Sequence, residues 1–256
     1  MFMSMTSIIE EVKEDISDEH ELSWFQLHRN RFLETLNLTK KYVDRGSSIL
    51  EVGSSPGHLS VMLQALGYRV VGLDKEPEKY ASRYDSFGIQ TVKNDLESEA
   101  ISLPRSSFEA VIFTEVLEHL KPQHVNGVLK EIGRVLKKRG VLILSTPNSS
   151  SLENYILELT HKRELFHEHA KEYRLPELVR LVARSNFTIV ESFYSQVRDT
   201  VTHVGTTSRE RIGTDHILVG VLKHPHWKNL GRALTLFPKM IFPPFRSSIV
   251  IVARKD

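Results

Sequence analysis

Glu115, Glu118 and His119 stand close together in the stretch FTEVLEHL. Two carboxylates and an imidazole can move protons near neutral pH, fix a loop through hydrogen bonds, or ligate a metal. If 115–119 forms a helical turn, the i, i+3 and i+4 spacing brings all three to one face. A second group, FHEHAKEYRLPEL, carries His167 and His169 one residue apart, with Tyr173 close behind. The chain has no cysteine, so a metal would fall to His, Asp and Glu.

Something must hold these groups in place, and the hydrophobic pattern says what. SSILEVG (47–53), YRVVGLD (68–74), IQTVKND (89–95), FEAVIFTE (108–115) and GVLILSTP (140–147) are short, β-branched, nearly continuous apolar runs, the pattern of strands buried on both faces. Helical segments after Gly57, Pro77 and Pro122 alternate with them; the last is read as PQHVNGVLKEIGRVLKKRG, with Val125, Leu129, Ile132 and Leu136 as its apolar face and Gly140 as its stop. This alternation predicts an α/β fold, a doubly wound sheet with helices on both sides. LPELVRLVARSNF reads as a further helix, and TIVESFYS (188–195) and SSIVIVARK (247–255) as a closing antiparallel pair. Upstream, Trp24, Leu27, Phe32, Leu36 and Val43 predict one or two amphipathic helices. The expected organisation is a helical segment over 1–45, a core over 46–195 and 247–256, and an insertion over 196–246.

ILEVGSSPGHLS places Gly53 at the end of the first strand and Gly57 at the start of the next helix. Glycine lets the backbone approach a ligand, and the helix N-terminus offers free N–H groups and a positive dipole end. Asp74 ends the second strand, where a carboxylate can accept hydrogen bonds from both ribose hydroxyls of a nucleoside. GSSPGH does not fit the G-x-G-x-x-G of dinucleotide-binding oxidoreductases.

With these motifs in this order, the chain resembles the class I S-adenosylmethionine-dependent methyltransferases, those of small-molecule O-methylation type in particular, over roughly residues 20–195 plus the last strand. The resemblance implies a Rossmann-like, seven-stranded mixed sheet of order 3-2-1-4-5-7-6 with strand seven antiparallel. It implies S-adenosyl-L-methionine as cofactor, with Glu51 at its amino-acid end, Gly53, Ser55 and Gly57 in the turn, Asp74 at the ribose, Asp95 and Leu96 at the adenine, and Lys75 and Glu115 as further residues beside the cofactor. Ser55 stands where the family's motif has its middle glycine.

Methyl transfer is an in-line displacement, so catalysis can rest on holding the acceptor against the methyl carbon while excluding water. An amine or hydroxyl must also lose a proton, which makes His119, His167 and His169 the candidate catalytic residues. The alternative for Glu118 and His119 is structural, each bonding to backbone or to the other. E-x-x-E-H followed by a distant histidine also resembles the Mg²⁺ or Mn²⁺ site of small-RNA 3′-terminal 2′-O-methyltransferases, which would make Glu115, Glu118, His119 and His167 metal ligands. Because both phrases also occur in metal-free small-molecule enzymes, metal-free chemistry is preferred. The expected function is O-methylation of a small metabolite, sugar or lipid-linked glycan. A non-catalytic cofactor-binding protein is the alternative of another class.

Net charge is only +2, but Glu10 to Glu21 is acidic while His216 to Lys255 holds seven Lys or Arg and no acid. The basic, aromatic insertion suits a lid over the acceptor, a homodimer interface, or contact with anionic lipid or a lipid-linked substrate. The even global balance argues against nucleic acid. The N-terminus lacks a signal-peptide pattern and no stretch reaches the roughly 20 apolar residues of a membrane span, so the expected location is the cytoplasm.

Overall fold

The computed structural model describes residues 5–152, 154, 169–195 and 242–256. The strands are β1 (Ser48–Val52), β2 (Arg69–Asp74), β3 (Gln90–Lys93), β4 (Phe108–Thr114), β5 (Leu136–Pro147), β6 (Phe187–Ser195) and β7 (Ser248–Lys255). They form one sheet of order β3-β2-β1-β4-β5-β7-β6. Pairs among the first five are parallel, and β7 runs antiparallel to both β5 and β6. This is the order and strand sense expected above.

Successive residues of a strand point to opposite faces, and the core divides accordingly. Ile49, Ala110, Ile112, Val141, Ile143, Val250 and Val252 lie in one buried cluster; Leu50, Val111, Phe113, Leu142, Leu144, Ile249 and Ile251 lie in the other. The first face is covered by α1 (Met5–Glu14), α2 (Glu19–Tyr42) and α3 (His58–Ala65), through residues such as Ile9, Phe25, Phe32, Leu36 and Met62. The second is covered by α5 (Pro122–Val135) and α6 (Leu175–Ala183). A short α4 (Ala81–Ser86) follows a 3₁₀ turn over Pro77–Tyr80 and leads into β3.

The acidic stretch before α2 has a local use. Asp18 caps the helix by accepting the Glu21 N–H at 2.7 Å, and Glu19 and Glu21 occupy the first turn, at the positive end of the dipole. At its other end α2 is tied to β6, where Lys41 Nζ lies 2.8 Å from Glu191 and the Tyr42 hydroxyl donates to the same carboxylate.

One element boundary differs from the sequence expectation. Leu136 is not the last apolar residue of a helical face: α5 ends at Val135, and Leu136 opens β5 by pairing with Phe108. The register then shifts, so that Ala110 pairs with Val141. A buried position beside Phe108 outweighs the helical period that the sequence carries through Leu136. No helix among the described residues is long and apolar enough to cross a membrane.

Candidate functional site

The carboxyl ends of β1, β2 and β4 converge on the turn after β1. Gly53 has φ 74° and Gly57 φ 96°, in the left-handed region that glycine tolerates. At Gly53 the need is also steric, because a Cβ there would stand 2.2 Å from Cγ2 of Val116, in the loop after β4. The turn is clamped from below by Asp74, whose Oδ2 accepts the Ser55 N–H and whose Oδ1 accepts the Glu76 N–H, both at 3.0 Å. Each oxygen keeps a further lone pair for a ligand hydroxyl.

Glu51 is buried in the middle of this floor and accepts a hydrogen bond from Ser60 Oγ. Burial pushes its carboxyl up to about 8, opposed by that hydrogen bond and by the charge of Arg31. Ser55 Oγ and, at the end of β3, Asn94 Oδ1 are buried without a hydrogen-bond partner among the described residues. Unsatisfied buried acceptors of this kind fit a polar ligand laid along the strand ends. Asp95 is held by the Glu97 N–H at 3.1 Å, and its other oxygen pairs with the exposed Lys75 at 3.2 Å, while Leu96 packs against the α5 side of the core. Hydrogen bonding to the Glu97 amide and to Lys75 holds the Asp95 carboxyl below its usual range.

The stretch that opened the sequence analysis does not form a single helical face. Glu115 takes φ 56° and sends its N–H to the Ser145 carbonyl; its carboxylate accepts from Ser145 Oγ at 2.9 Å and lies 3.8 Å from Arg31 Nη1. Only Leu117–His119 makes a 3₁₀ turn. Glu118 is therefore turned inward: it is 1% exposed, its Oε2 accepts from Thr146 Oγ1 at 3.0 Å, and its backbone carbonyl accepts the N–H groups of Ala170 and Lys171. Those last two bonds dock the 169–173 stretch beside the turn.

His119 and His169 thereby meet edge to face with ring centroids 5.1 Å apart, and His169 Nδ1 lies 3.0 Å from Glu172 Oε1. The His119 side chain is 43% exposed and that of His169 12%. Ligand atoms of Glu118, His119 and His169 lie within 4.8 Å of one another. Of the metal set suggested by the sequence, Glu118 and His119 thus lie with His169 among the described residues, while Glu115 contacts Arg31 and Ser145. His167 lies outside the described residues, as do residues 196–241 of the insertion. Tyr173 belongs to the buried core, with Asn148 beside it, and burial raises its hydroxyl to about 12.

Residues 25–192 match the family described as a methyltransferase domain. The chain belongs to the class I S-adenosylmethionine-dependent methyltransferases. Among curated relatives, the mitochondrial ubiquinone biosynthesis O-methyltransferase of Mus musculus is 34% identical over 128 residues, which is 47% of this chain and 34% of that protein. The carboxy-S-adenosyl-L-methionine synthase of Erwinia tasmaniensis is 28% identical over 42% of this chain and 47% of its own length. The chain thus spans well under two thirds of both relatives. In fold it is similar to a SAM-dependent methyltransferase from Archaeoglobus fulgidus, with TM-score 0.62, 18% identity, and coverage of 93% of this chain and 100% of that one. It is also similar to the 1,6-didemethyltoxoflavin-N1-methyltransferase of Burkholderia thailandensis, solved with S-adenosylhomocysteine, at TM-score 0.57, 16% identity and coverage of 100% and 92%.

Sequence reasoning passed over one residue of this methyltransferase that the geometry brings to the site. Arg31, on α2, is buried, with its guanidinium 5.6 Å from the Trp24 ring centroid and 5.5 Å from that of Phe32. A signal existed: Arg31 falls seven residues after Trp24 and three after His28, on the apolar stripe that buries Phe25, His28, Thr35 and Leu36. A cation on the buried stripe of an amphipathic helix needs a partner, and its partners are at the strand ends.

Proposed function

We propose that this methyltransferase acts on oxygen in a small acceptor: a metabolite, a sugar or a lipid-linked glycan. The observation that carries the reading is the His119–His169 pair, set at the carboxyl ends of β4 and β5 next to the loop that bears Glu115. Bound S-adenosylmethionine supplies an electrophilic methyl carbon. In this reading Glu51, the Gly53–Gly57 turn, Asp74 and Asp95 hold it along the strand ends, His119 takes the proton from the acceptor hydroxyl, and Glu172 orients His169 beside it. Glu118 positions the loop and does not touch the acceptor. The mouse relative's name, which specifies an O-methyltransferase, supports oxygen as the atom.

Isothermal titration with S-adenosylhomocysteine tests the cofactor half. Asp74→Ala should weaken binding by about tenfold or more, since hydrogen bonds to a charged acceptor contribute about 1.5–3 kcal/mol. Unchanged affinity in that variant would overturn the site. Incubation with labelled cofactor and fractionated cell extract then reports the acceptor class.

The approach of Glu118, His119 and His169 to within 4.8 Å favours a second reading, in which they hold a divalent cation and the acceptor is the 3′-terminal ribose of an RNA. Activity on RNA ends that EDTA abolishes and Mn²⁺ restores would support it. An enzyme indifferent to chelator eliminates it.

A further inference from the structure

Remote from the histidine pair, α1, α3 and the end of α4 enclose a groove of ≈ 350 Å³. Buried Ile8, Val12 and Val61 form its base, and the exposed Glu11, Glu14 and Asp15 line its α1 side. Its α3 wall runs from Val61 to Ala65, and Ala65 lies about 12 Å along the helix from Gly57. Phe87, the residue after α4, completes the lining. It is 38% exposed, yet its backbone is pinned: its carbonyl accepts a hydrogen bond from Gln64 of α3, and Gly88, at φ 61°, turns the chain into β3.

The charges of α1 are divided. Glu10 pairs with Lys13 and Arg29, whereas among the described residues Glu11, Glu14 and Asp15 have no ion-pair partner. Glu14 ends α1 and Asp15 follows it, so both carboxylates stand at the negative end of the helix dipole, where an anion is disfavoured and a cation is stabilising. No Lys, Arg or His among the described residues lines the groove. An apolar base beside uncompensated acids is complementary to an amphipathic helix whose apolar stripe is flanked by Lys or Arg. Its apolar side chains fill the base, as in helix-in-groove recognition, and its cations neutralise the carboxylates and the end of the dipole. The Phe87 ring adds an apolar anchor and a face for a cation. We propose that this groove docks a basic amphipathic helix of a partner protein, which would leave the carboxyl ends of the strands open.

Fluorescence anisotropy with labelled peptides of about 18 residues, long enough for helix formation on binding, tests this. One peptide carries Leu and Lys in amphipathic helical order, and the other has the same composition scrambled. Wild type should bind the ordered peptide at least about tenfold more tightly. The charge-reversed E11K/E14K/D15K should lose about a hundredfold in affinity for it, and Phe87→Ser about tenfold. Saturating S-adenosylhomocysteine should change that affinity by less than about threefold, as expected of independent sites. Both variants alter exposed positions, and lysine at the end of α1 agrees with its dipole, so both should fold. Absence of binding, equal affinity for the two peptides, or undiminished affinity in either variant overturns the proposal. Displacement by S-adenosylhomocysteine also overturns it, since the peptide would then occupy the cofactor site. So does a wild type that sediments as a dimer while Phe87→Ser sediments as a monomer, because the groove would then hold a second copy of this chain.

Discussion

The proposed cofactor floor and the histidine rim lie at the same edge of the sheet, yet they are built differently. In the floor, backbone does most of the positioning: Gly53 and Gly57 turn the chain, and Asp74 spends both oxygens on amides of its own neighbourhood. In the rim, side chains on a single 3₁₀ turn meet side chains of the 169–173 stretch, joined by two amides bonded to the Glu118 carbonyl. A floor fixed by the sheet is pre-formed for one ligand. A rim fixed by a loop can change its acceptor without disturbing the sheet, which is the usual division between scaffold and loop.

The sharpest way to break this contrast is to damage the floor. Gly53→Val puts a branched side chain at φ 74° and against Val116, and should cost about 2–4 kcal/mol of stability as well as all measurable S-adenosylhomocysteine binding. Urea denaturation and calorimetry read the two effects separately. Damage to the rim should do the opposite. His169→Ala is expected to lower kcat by about a hundredfold, typical for the loss of a proton-transfer group or its support, while S-adenosylhomocysteine affinity stays within about threefold. A fall in both quantities would show that rim and floor are one unit.

A smaller effect follows from the buried carboxyl of the floor. With Glu51 raised to about 8, the folded protein keeps a proton that the unfolded chain releases near the ordinary carboxylate value of 4.5. Stability from this group therefore falls as pH rises from about 4.5 through about 8. His58, pushed down to about 3 by burial and by Arg83, acts in the reverse sense between about 3 and 6.5, where the unfolded chain binds the extra proton. The two oppose each other below 6.5, so the window from 6.5 to 8 isolates Glu51 from His58. There the wild type should lose about 1–2 kcal/mol, and Glu51→Gln should flatten the slope in urea melts. An unchanged slope in the variant would show that Glu51 is not the group responsible.

How far each region was legible follows from the range of the forces that shape it. The runs at 47–53, 68–74 and 108–115 became β1, β2 and β4 because continuous apolar sequence forces burial on both faces, and Asp74 was placed by its position at a strand end. The helical turn over 115–119 did not form because Glu115 takes a left-handed backbone and its contacts lie far along the chain: the Ser145 carbonyl takes its N–H, and Arg31 and Ser145 take its carboxylate. Leu136 was misplaced for the same reason, since its partner Phe108 lies in another strand. Arg31 was overlooked because a helical period reports burial and not what the buried group faces. Local pattern finds elements and their ends, whereas the direction of a side chain is set by whichever distant group reaches it.

The smallest expected effect concerns Lys75, which the sequence analysis placed among the cofactor-binding residues. Its side chain is 71% exposed and its contact is with Asp95 at 3.2 Å, on the outer side of the floor. An exposed pair of this kind gains little because water screens it and two side chains must be ordered to form it. Lys75→Ala should thus change stability by less than about 0.5 kcal/mol and S-adenosylhomocysteine affinity by less than about threefold, with Asp95 still held by the Glu97 amide. A tenfold loss of affinity would mean that Lys75 reaches over the rim of the floor to the ligand. In that case the floor, too, would owe part of its binding to a mobile side chain, and the contrast with the histidine rim would narrow to a matter of degree.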